Sequence, residues 1–314
     1  MNNIKVSVVC AAYNHEKYIR DALEGFVRQK TDFEYEVLIH DDASTDDTVK
    51  IICEYEKKYP HIIKPIYQVE NQYSKGVNIS KTYLYPRVRG KYIALCEGDD
   101  YWTDEFKLQK QYDLMEENPE IDGCAHAVQK RSAGDNTIVG YIRPSNKTGI
   151  IQIENVIEGG GEFVGTNSIM FRTEILHSNH MFSQVLSLDY VTQINISLRG
   201  GLLYIDECMS VYRVMAEGSW TSRMQNNPKA LDDVSKKIIK MLEVLDQETQ
   251  FQYHEVINRT ILERKCYIAS RNGEIKTLFS EPLYNRLKKF PSKEKCFLIL
   301  RTIKNFGRKL SNGK

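Results

Sequence analysis

Three carboxylates crowd one short stretch of this 314-residue chain, Glu97-Gly98-Asp99-Asp100, and Tyr101-Trp102 follow at once. Carboxylates this close repel one another unless a positive charge sits among them. A hard divalent cation such as Mg²⁺ or Mn²⁺ would relieve the repulsion, since it takes oxygen ligands from one or two carboxylates plus substrate phosphates. A solvated acidic turn is the bland alternative. A second acidic cluster lies upstream, at Asp41-Asp42 with Asp46-Asp47 close behind.

Each cluster ends a short apolar run, over 92–96 and 34–40. Short bounded runs of this kind read as buried strands. The pattern predicts further strands over 5–12, 62–69 and 121–128, and helices over 16–28, 44–59, 75–88 and 104–117. Ser44 and Asp47 fit a capping box for the second helix. Phe106, Leu108, Tyr112 and Met115 form the expected inner face of the fourth. Pro65 marks its strand as an edge strand, and Pro86 interrupts the helix over 75–88. Alternation of strand and helix predicts an α/β fold with a largely parallel sheet and helices on both faces. The C-terminal ends of parallel strands share one edge, and open α/β sheets bind ligands there. Both acidic clusters therefore fall on one binding edge.

Beyond 128 the pattern loosens. Strands are expected over 149–153, 163–172, 202–205 and 209–214, a helix over 187–199 closed by Gly200-Gly201, and a loop over 217–223. Gly159-Gly160-Gly161 reads as a flexible turn, because no helix-and-lysine context follows to make it a phosphate loop. From 226 onward only helical patterns appear, which sets a domain boundary between 1–225 and a helical region over 226–314. Positions 286–314 hold ten Lys or Arg and one acidic residue, Glu294. Within 296–310, Ile299, Ile303, Phe306 and Leu310 form one stripe, with Arg301, Lys304, Arg308 and Lys309 away from it. A basic amphipathic helix suits an anionic membrane surface. A terminal helix packed on its own domain with a solvated outer face fits the same residues.

Composition excludes several classes. Hydrophobic residues make up 41% and charged residues 27%, as in ordinary globular proteins, and a net charge of +1 gives no electrostatic case for a nucleic-acid partner. Seven scattered cysteines without a C-x-x-C pair read as thiols of a reducing compartment, not as a disulfide framework or zinc site. The apolar run over 6–12 is too short for a secretion signal, and that over 296–300 is too short to span a bilayer. A cytoplasmic protein is expected, with the C-terminal helix as the candidate for peripheral attachment to the inner face of the cell membrane.

These motifs resemble the inverting glycosyltransferases of family 2, which have the GT-A fold. Residues 6–14, VSVVCAAYN, resemble the family's opening strand and Y-N turn, and 37–47, VLIHDDASTDD, its V-x-D-D-x-S-T-D segment. Glu97-Gly98-Asp99-Asp100 resembles its D-x-D-D segment, with Tyr101-Trp102 and KLQKQ at 107–111 continuing the likeness. TNSIMFR at 166–172 and Leu188-Asp189-Tyr190 resemble later motifs, so the likeness reaches about residue 222. Three departures stand out. Ala11-Ala12 replaces the usual P-T, Glu97 replaces the first aspartate of D-x-D, and L-D-Y replaces the more usual E-D or G-D.

The resemblance implies a Rossmann-like GT-A mixed, mainly parallel sheet with a C-terminal helical extension. It also implies transfer of a sugar from a nucleotide-diphosphate sugar to an acceptor hydroxyl with inversion, in the synthesis of a surface polysaccharide or other glycan. On this reading Ala12, Tyr13, Asn14, Asp41, Asp42, Glu97 and Gly98 hold the nucleotide. Tyr13 offers an aromatic face, and Asp41 or Asp42 accepts a hydrogen bond from the imino N–H of the base, which favours a UDP-sugar. Glu97 meets the ribose. Asp99, with Asp100, takes Mn²⁺ or Mg²⁺, Asp189 is the base, and Lys75, Arg213 and Trp220 line the diphosphate or acceptor side. The implied partners are a nucleotide-sugar donor and a glycan or lipid-linked acceptor. Two readings compete. A nucleotidyltransferase should carry a Gly-rich, basic loop where this chain has Tyr13-Asn14-His15. A sugar-nucleotide- or glycan-binding protein without catalysis would not need both Asp99 and Asp189.

Overall fold

The computed structural model describes residues 4–186, 189–217, 219, 224 and 227–312. The chain divides into two compact units, Met1–Asn179 with Ser187–Ser222, and His180–Leu186 with Arg223–Lys314.

The larger unit is mixed α/β. It runs β1 (Ile4–Ala12), α1 (Ile19–Val27), β2 (Glu34–Asp41), α2 (Thr48–Lys58), β3 (Ile63–Tyr67), β4 (Tyr92–Leu95), β5 (Tyr101–Trp102), α3 (Lys107–Glu117), β6 (Gly123–Ser132), β7 (Ile138–Ile142), β8 (Gly149–Ile151), α4 (Ile153–Gly159) and β9 (Met170–Arg172). After the short helix α5 (Phe182–Val185), which belongs to the other unit, it continues with α6 (Asp189–Asn195) and β10 (Leu202–Val214). The ten-stranded sheet has the order β3-β2-β1-β4-β9-β6-β10-β5, with β7 beside β6 and β8 beside β10. The longest ladders, β1–β2 and β6–β10, are parallel, while short antiparallel pairs join β9, β5, β7 and β8. Val6, Val8 and Cys10 on β1 and Val37 and Ile39 on β2 are fully buried, as expected for central strands.

Most strand expectations hold to within a few residues, and β3 is an edge strand as Pro65 implied. Several local expectations fail for identifiable reasons. The Ser44–Asp47 capping box does not form: Ser44 gives its hydroxyl to Asp41 Oδ1, and Asp46 Oδ1 receives the Thr48 N–H at 3.0 Å. The helix expected over 75–88 breaks into a 3₁₀ turn at Tyr73–Lys75, a π turn at Ser80–Leu84 and a 3₁₀ turn at Tyr85–Arg87, where Pro86 has no N–H to continue it. On α3 the buried residues are Lys107, Leu108, Gln111 and Met115, while Phe106 is exposed. The two strands expected over 202–214 are one, β10, whose pairing with β6 shifts register between Ile205 and Ser210. The segment before Gly160 is the helix α4, and β7 was not expected at all.

The smaller unit is helical, with helices at Pro228–Glu248, His254–Arg271, Ile275–Leu278, Leu283–Lys288 and Ser292–Asn312 besides α5. Asn227 caps the first by accepting the Ala230 N–H, with Pro228 at the first helical position. Cys266, Ala269, Leu278, Leu283, Leu287, Phe290 and Leu298 make its core. All seven cysteines are free thiols. Among the described residues no helix is long and apolar enough to cross a membrane.

Candidate active site

β1 and β2 end side by side, and their turns are sewn together. Asn14, in a left-handed conformation at φ 55°, gives its N–H to Ser44 Oγ at 2.9 Å and accepts the Thr45 N–H at 2.8 Å. Tyr13 stands out from this seam, 43% exposed. Asp41 is buried, and its two oxygens receive the hydroxyl and the N–H of Ser44. Asp42 is also buried and receives the backbone N–H groups of Gln72 and Tyr73 at 2.8 and 2.9 Å. That pair of bonds pins the 3₁₀ turn ending in Lys75, whose amine pairs with Glu70 at the surface.

The acidic stretch follows β4 and lies against β1, with Gly98 N–H on the Ala11 carbonyl at 3.0 Å. A Cβ on Gly98 would lie 2.8 Å from His15 Nδ1 and 2.9 Å from Ile19 Cδ1, so any larger residue would force these side chains to shift. The three carboxylates then part company. Asp100 is buried with both oxygens engaged, one on Asn167 Nδ2 at 3.0 Å and one on the Arg213 N–H at 2.9 Å. Asp99 and Glu97 accept no side-chain hydrogen bond among the described residues. Glu97 reaches solvent, yet the protein packed round it and then the charges of Asp99 and Asp189 push its carboxyl up to about 8. Burial, followed by the charge of Asp99, drives Asp100 well above the usual carboxylate range.

Arg213 lies within the strand expected over 209–214. It occupies the end of β10, and its guanidinium is almost wholly buried. It bonds the Asp99 carbonyl at 2.8 Å, pairs with Asp21, and stacks 4.4 Å from the Tyr101 ring centroid and 5.2 Å from that of Tyr18. These partners engage one hydrogen on each terminal nitrogen of the guanidinium. Arg213 is the clasp beneath the acidic turn. Asn167 is the second clasp: besides Asp100 it bonds the Val211 carbonyl, accepts the Ser210 hydroxyl and takes the Trp102 indole N–H on its own carbonyl. Trp220 and Leu188 lie outside the described residues.

Asp189 opens α6 and is exposed. Its Oδ2 accepts the Thr166 hydroxyl at 2.5 Å. The protein around the carboxyl raises its pKa, and the Thr166 bond opposes that rise. The negative charge of Asp189 acts on Glu97 and on Tyr85, whose phenol is pushed up to about 12 by burial and then by that charge. Asp189 is therefore near enough to Glu97 and Tyr85 for its charge to act on both. Sequence reasoning assigned no part in the site to Thr166, Asn167 or Tyr85. The first two stood within TNSIMFR at 166–172, while Tyr85 carried no signal beyond a tyrosine in a broken helix.

Among the described residues no group of three or more His, Cys, Asp or Glu forms a ready metal cage. The acidic turn nonetheless fits a hard cation. Asp99 keeps a carboxylate without a protein donor, and the raised Glu97 and Asp100 show more negative charge than the chain itself compensates.

Comparison with known proteins agrees with this architecture. An uncharacterised protein of Mycobacterium tuberculosis strain H37Rv is 35% identical over 227 residues, covering 71% of this chain but 63% of that protein. TuaG of Bacillus subtilis, named as a candidate glycosyltransferase of teichuronic acid biosynthesis, is 28% identical over 215 residues, covering 67% of this chain and 79% of TuaG. Staphylococcus aureus TarS 1–349, solved in complex with UDP-GlcNAc, superposes with a TM-score of 0.62 at 17% identity over 96% of this chain and 88% of that one, which establishes a shared GT-A fold. Residues 7–178 match the profile of glycosyl transferase family 2, more than half of the sequence, and on that match the chain belongs to this family.

Proposed function

We propose that this chain transfers a sugar from a nucleotide-diphosphate sugar, a UDP-sugar, to a hydroxyl of a surface-polysaccharide or lipid-linked glycan acceptor, with inversion at the anomeric carbon. The observation that carries the reading is that carboxylates from two separate elements, Glu97 and Asp99 after β4 and Asp189 at the start of α6, lie near enough for the charges of Asp99 and Asp189 both to raise the pKa of Glu97. An inverting displacement needs charge neutralisation at the leaving diphosphate and a separate base on the acceptor side.

Tyr13 offers its exposed ring to the base of the donor, and the seam made by Ala12, Asn14, Asp41 and Asp42 shapes the floor beneath it. Glu97 and Gly98 follow on the ribose side. When bound, a divalent cation such as Mn²⁺ or Mg²⁺ supplies the positive charge that stabilises the departing diphosphate, and Asp99 is the residue that would hold it. Asp100 is left out of that role because Asn167 and Arg213 occupy its oxygens. Asp189 takes the proton of the acceptor hydroxyl as the acceptor oxygen bonds to the anomeric carbon and the bond to phosphate breaks. A carboxylate raised above its ordinary range is a stronger base for this task. The names of TuaG and TarS point to a cell-surface polymer and a UDP-sugar donor, consistent with this assignment.

The test is release of free nucleoside diphosphate from a panel of sugar nucleotides, with and without Mn²⁺, by the wild type and by Asp189→Asn. UDP-sugar turnover that Asp189→Asn abolishes, while donor binding persists, supports the proposal. Donor binding without turnover in the wild type, with any acceptor class, would leave a binding protein and overturn it.

A further inference from the structure

The helix Ser292–Asn312 has two working faces, and only one is used inside the protein. Leu298 and Thr302, one turn apart, are fully buried. Ser270 Oγ bonds the Leu298 carbonyl, Arg301 bonds the Tyr267 carbonyl, Glu294 bonds the Tyr267 hydroxyl, and Asn305 bonds the Ser270 and Arg271 carbonyls. This face docks the helix on its own unit.

The other face is apolar and uncovered. Leu300 is 67% exposed, Ile303 53%, Phe306 40% and Leu310 62%, and Phe297 at the margin is 53% exposed. At about 100° per residue these four fall in one continuous stripe, turned away from Leu298 and Thr302. Lys293, Lys304 and Arg308 follow one margin of the stripe and Lys295 the other. Among the described residues none of these four cations pairs with a carboxylate. An apolar stripe bordered by unpaired cations is the geometry of a helix that lies in a lipid interface. The apolar side chains enter the acyl boundary while Lys and Arg stems reach outward to anionic headgroups. A protein partner of equal size would need acidic side chains placed along both margins, whereas an anionic bilayer presents that charge everywhere.

We propose that this outer face docks the protein on an anionic phospholipid surface. The inference rests on the helix alone and stands or falls independently of the transfer reaction. The full chain should sediment with vesicles containing phosphatidylglycerol and much less with pure phosphatidylcholine. Leu300→Glu with Ile303→Glu should abolish binding. Lys304→Gln with Arg308→Gln should weaken it about tenfold or more, and added salt should mimic that loss. Circular dichroism melts and sugar-nucleotide turnover, both unchanged in these variants, exclude unfolding as the cause. Three results would overturn the proposal. One is no sedimentation with phosphatidylglycerol vesicles, and another is undiminished binding by the Leu300→Glu, Ile303→Glu variant. The third is a wild-type dimer in light scattering that this variant converts to monomer, which would assign the face to a second copy of the chain.

Discussion

Thr166 holds Asp189 by a single hydroxyl bond of 2.5 Å to Oδ2, and the described residues provide no other hydrogen-bond donor to that carboxylate. The bond both orients the carboxylate and lowers its pKa against the surrounding protein, which raises it. Its removal has two separable consequences. Thr166→Val should lower kcat by roughly tenfold or more, the worth of a hydrogen bond to a charged group, with little change in donor KM. The acid limb of the kcat–pH profile should also move to higher pH, because the unassisted carboxyl needs a higher pH to ionise. Thr166→Ser should restore both. A fall in kcat with no movement of the acid limb would assign Thr166 a packing role only.

Asp99→Asn removes the one acidic-turn carboxylate that is nearly buried yet unengaged by the protein. Turnover should fall by about a hundredfold or more. Binding of Mn²⁺ measured by calorimetry should weaken in parallel, with the melting temperature maintained or raised as repulsion in the turn is relieved. Chelation should reduce the wild type to the level of the variant. Full activity after chelation would remove the cation from the proposal.

Arg213→Met tests the clasp. Its guanidinium spans Asp21, the Asp99 carbonyl and two aromatic rings, so truncation removes the positive charge that Arg213 sets near Asp100 and leaves the Asp99 carbonyl without its side-chain donor. A loss of about 3 kcal/mol in urea denaturation is expected. Arg213→Lys should not restore stability, since an amine lacks the planar fork that reaches several partners at once. Unchanged stability with weakened donor affinity would return Arg213 to the diphosphate.

Lys107 gives a pH signature in stability. It is wholly buried on α3, 4.0 Å from the Trp102 ring centroid and bonded to Gln111, and burial lowers its amine from 10.5 to about 7. Between those values the unfolded chain holds a proton that the folded chain has released. Stability contributed here therefore declines as pH falls from about 10.5 to about 7 and is level below that. Lys107→Met should flatten this slope and stabilise the protein at pH 7 by about 1–3 kcal/mol, net of the lost Gln111 bond. Urea midpoints at pH 7 and pH 9 measure both effects. An unaltered slope would exclude the amine as its source.

The parts of the site legible in sequence are those set by local pattern. Apolar runs over 92–96 and 34–40 identified strands, and acidic residues directly after them marked the binding edge, because a strand and its turn are neighbours in the chain. What the sequence hid depends on distant partners. Nothing near Asp100 reveals that its oxygens go to Asn167 and Arg213, and the Arg213 N–H comes from 113 residues away. For the same reason nothing near Arg213 reveals that its guanidinium goes to Asp21 and the Asp99 carbonyl. Ser44 fitted a capping box by spacing, but Asp41 competes for its hydroxyl and wins. Lys107 sat where helix periodicity expects a solvated lysine, and only the indole above and Gln111 beside it explain its burial.

Asn167 joins the Asp100 carboxylate, the Trp102 indole, the Ser210 hydroxyl and the Val211 carbonyl, groups separated from it by 43 to 67 residues. Each bond closes a long loop, and such contacts form late because chain entropy opposes them until the sheet is in place. During synthesis the acidic turn emerges before either Asn167 or β10 exists to hold it. The nascent chain therefore carries this acidic turn without its Asn167 and Arg213 partners until residue 213 has left the ribosome.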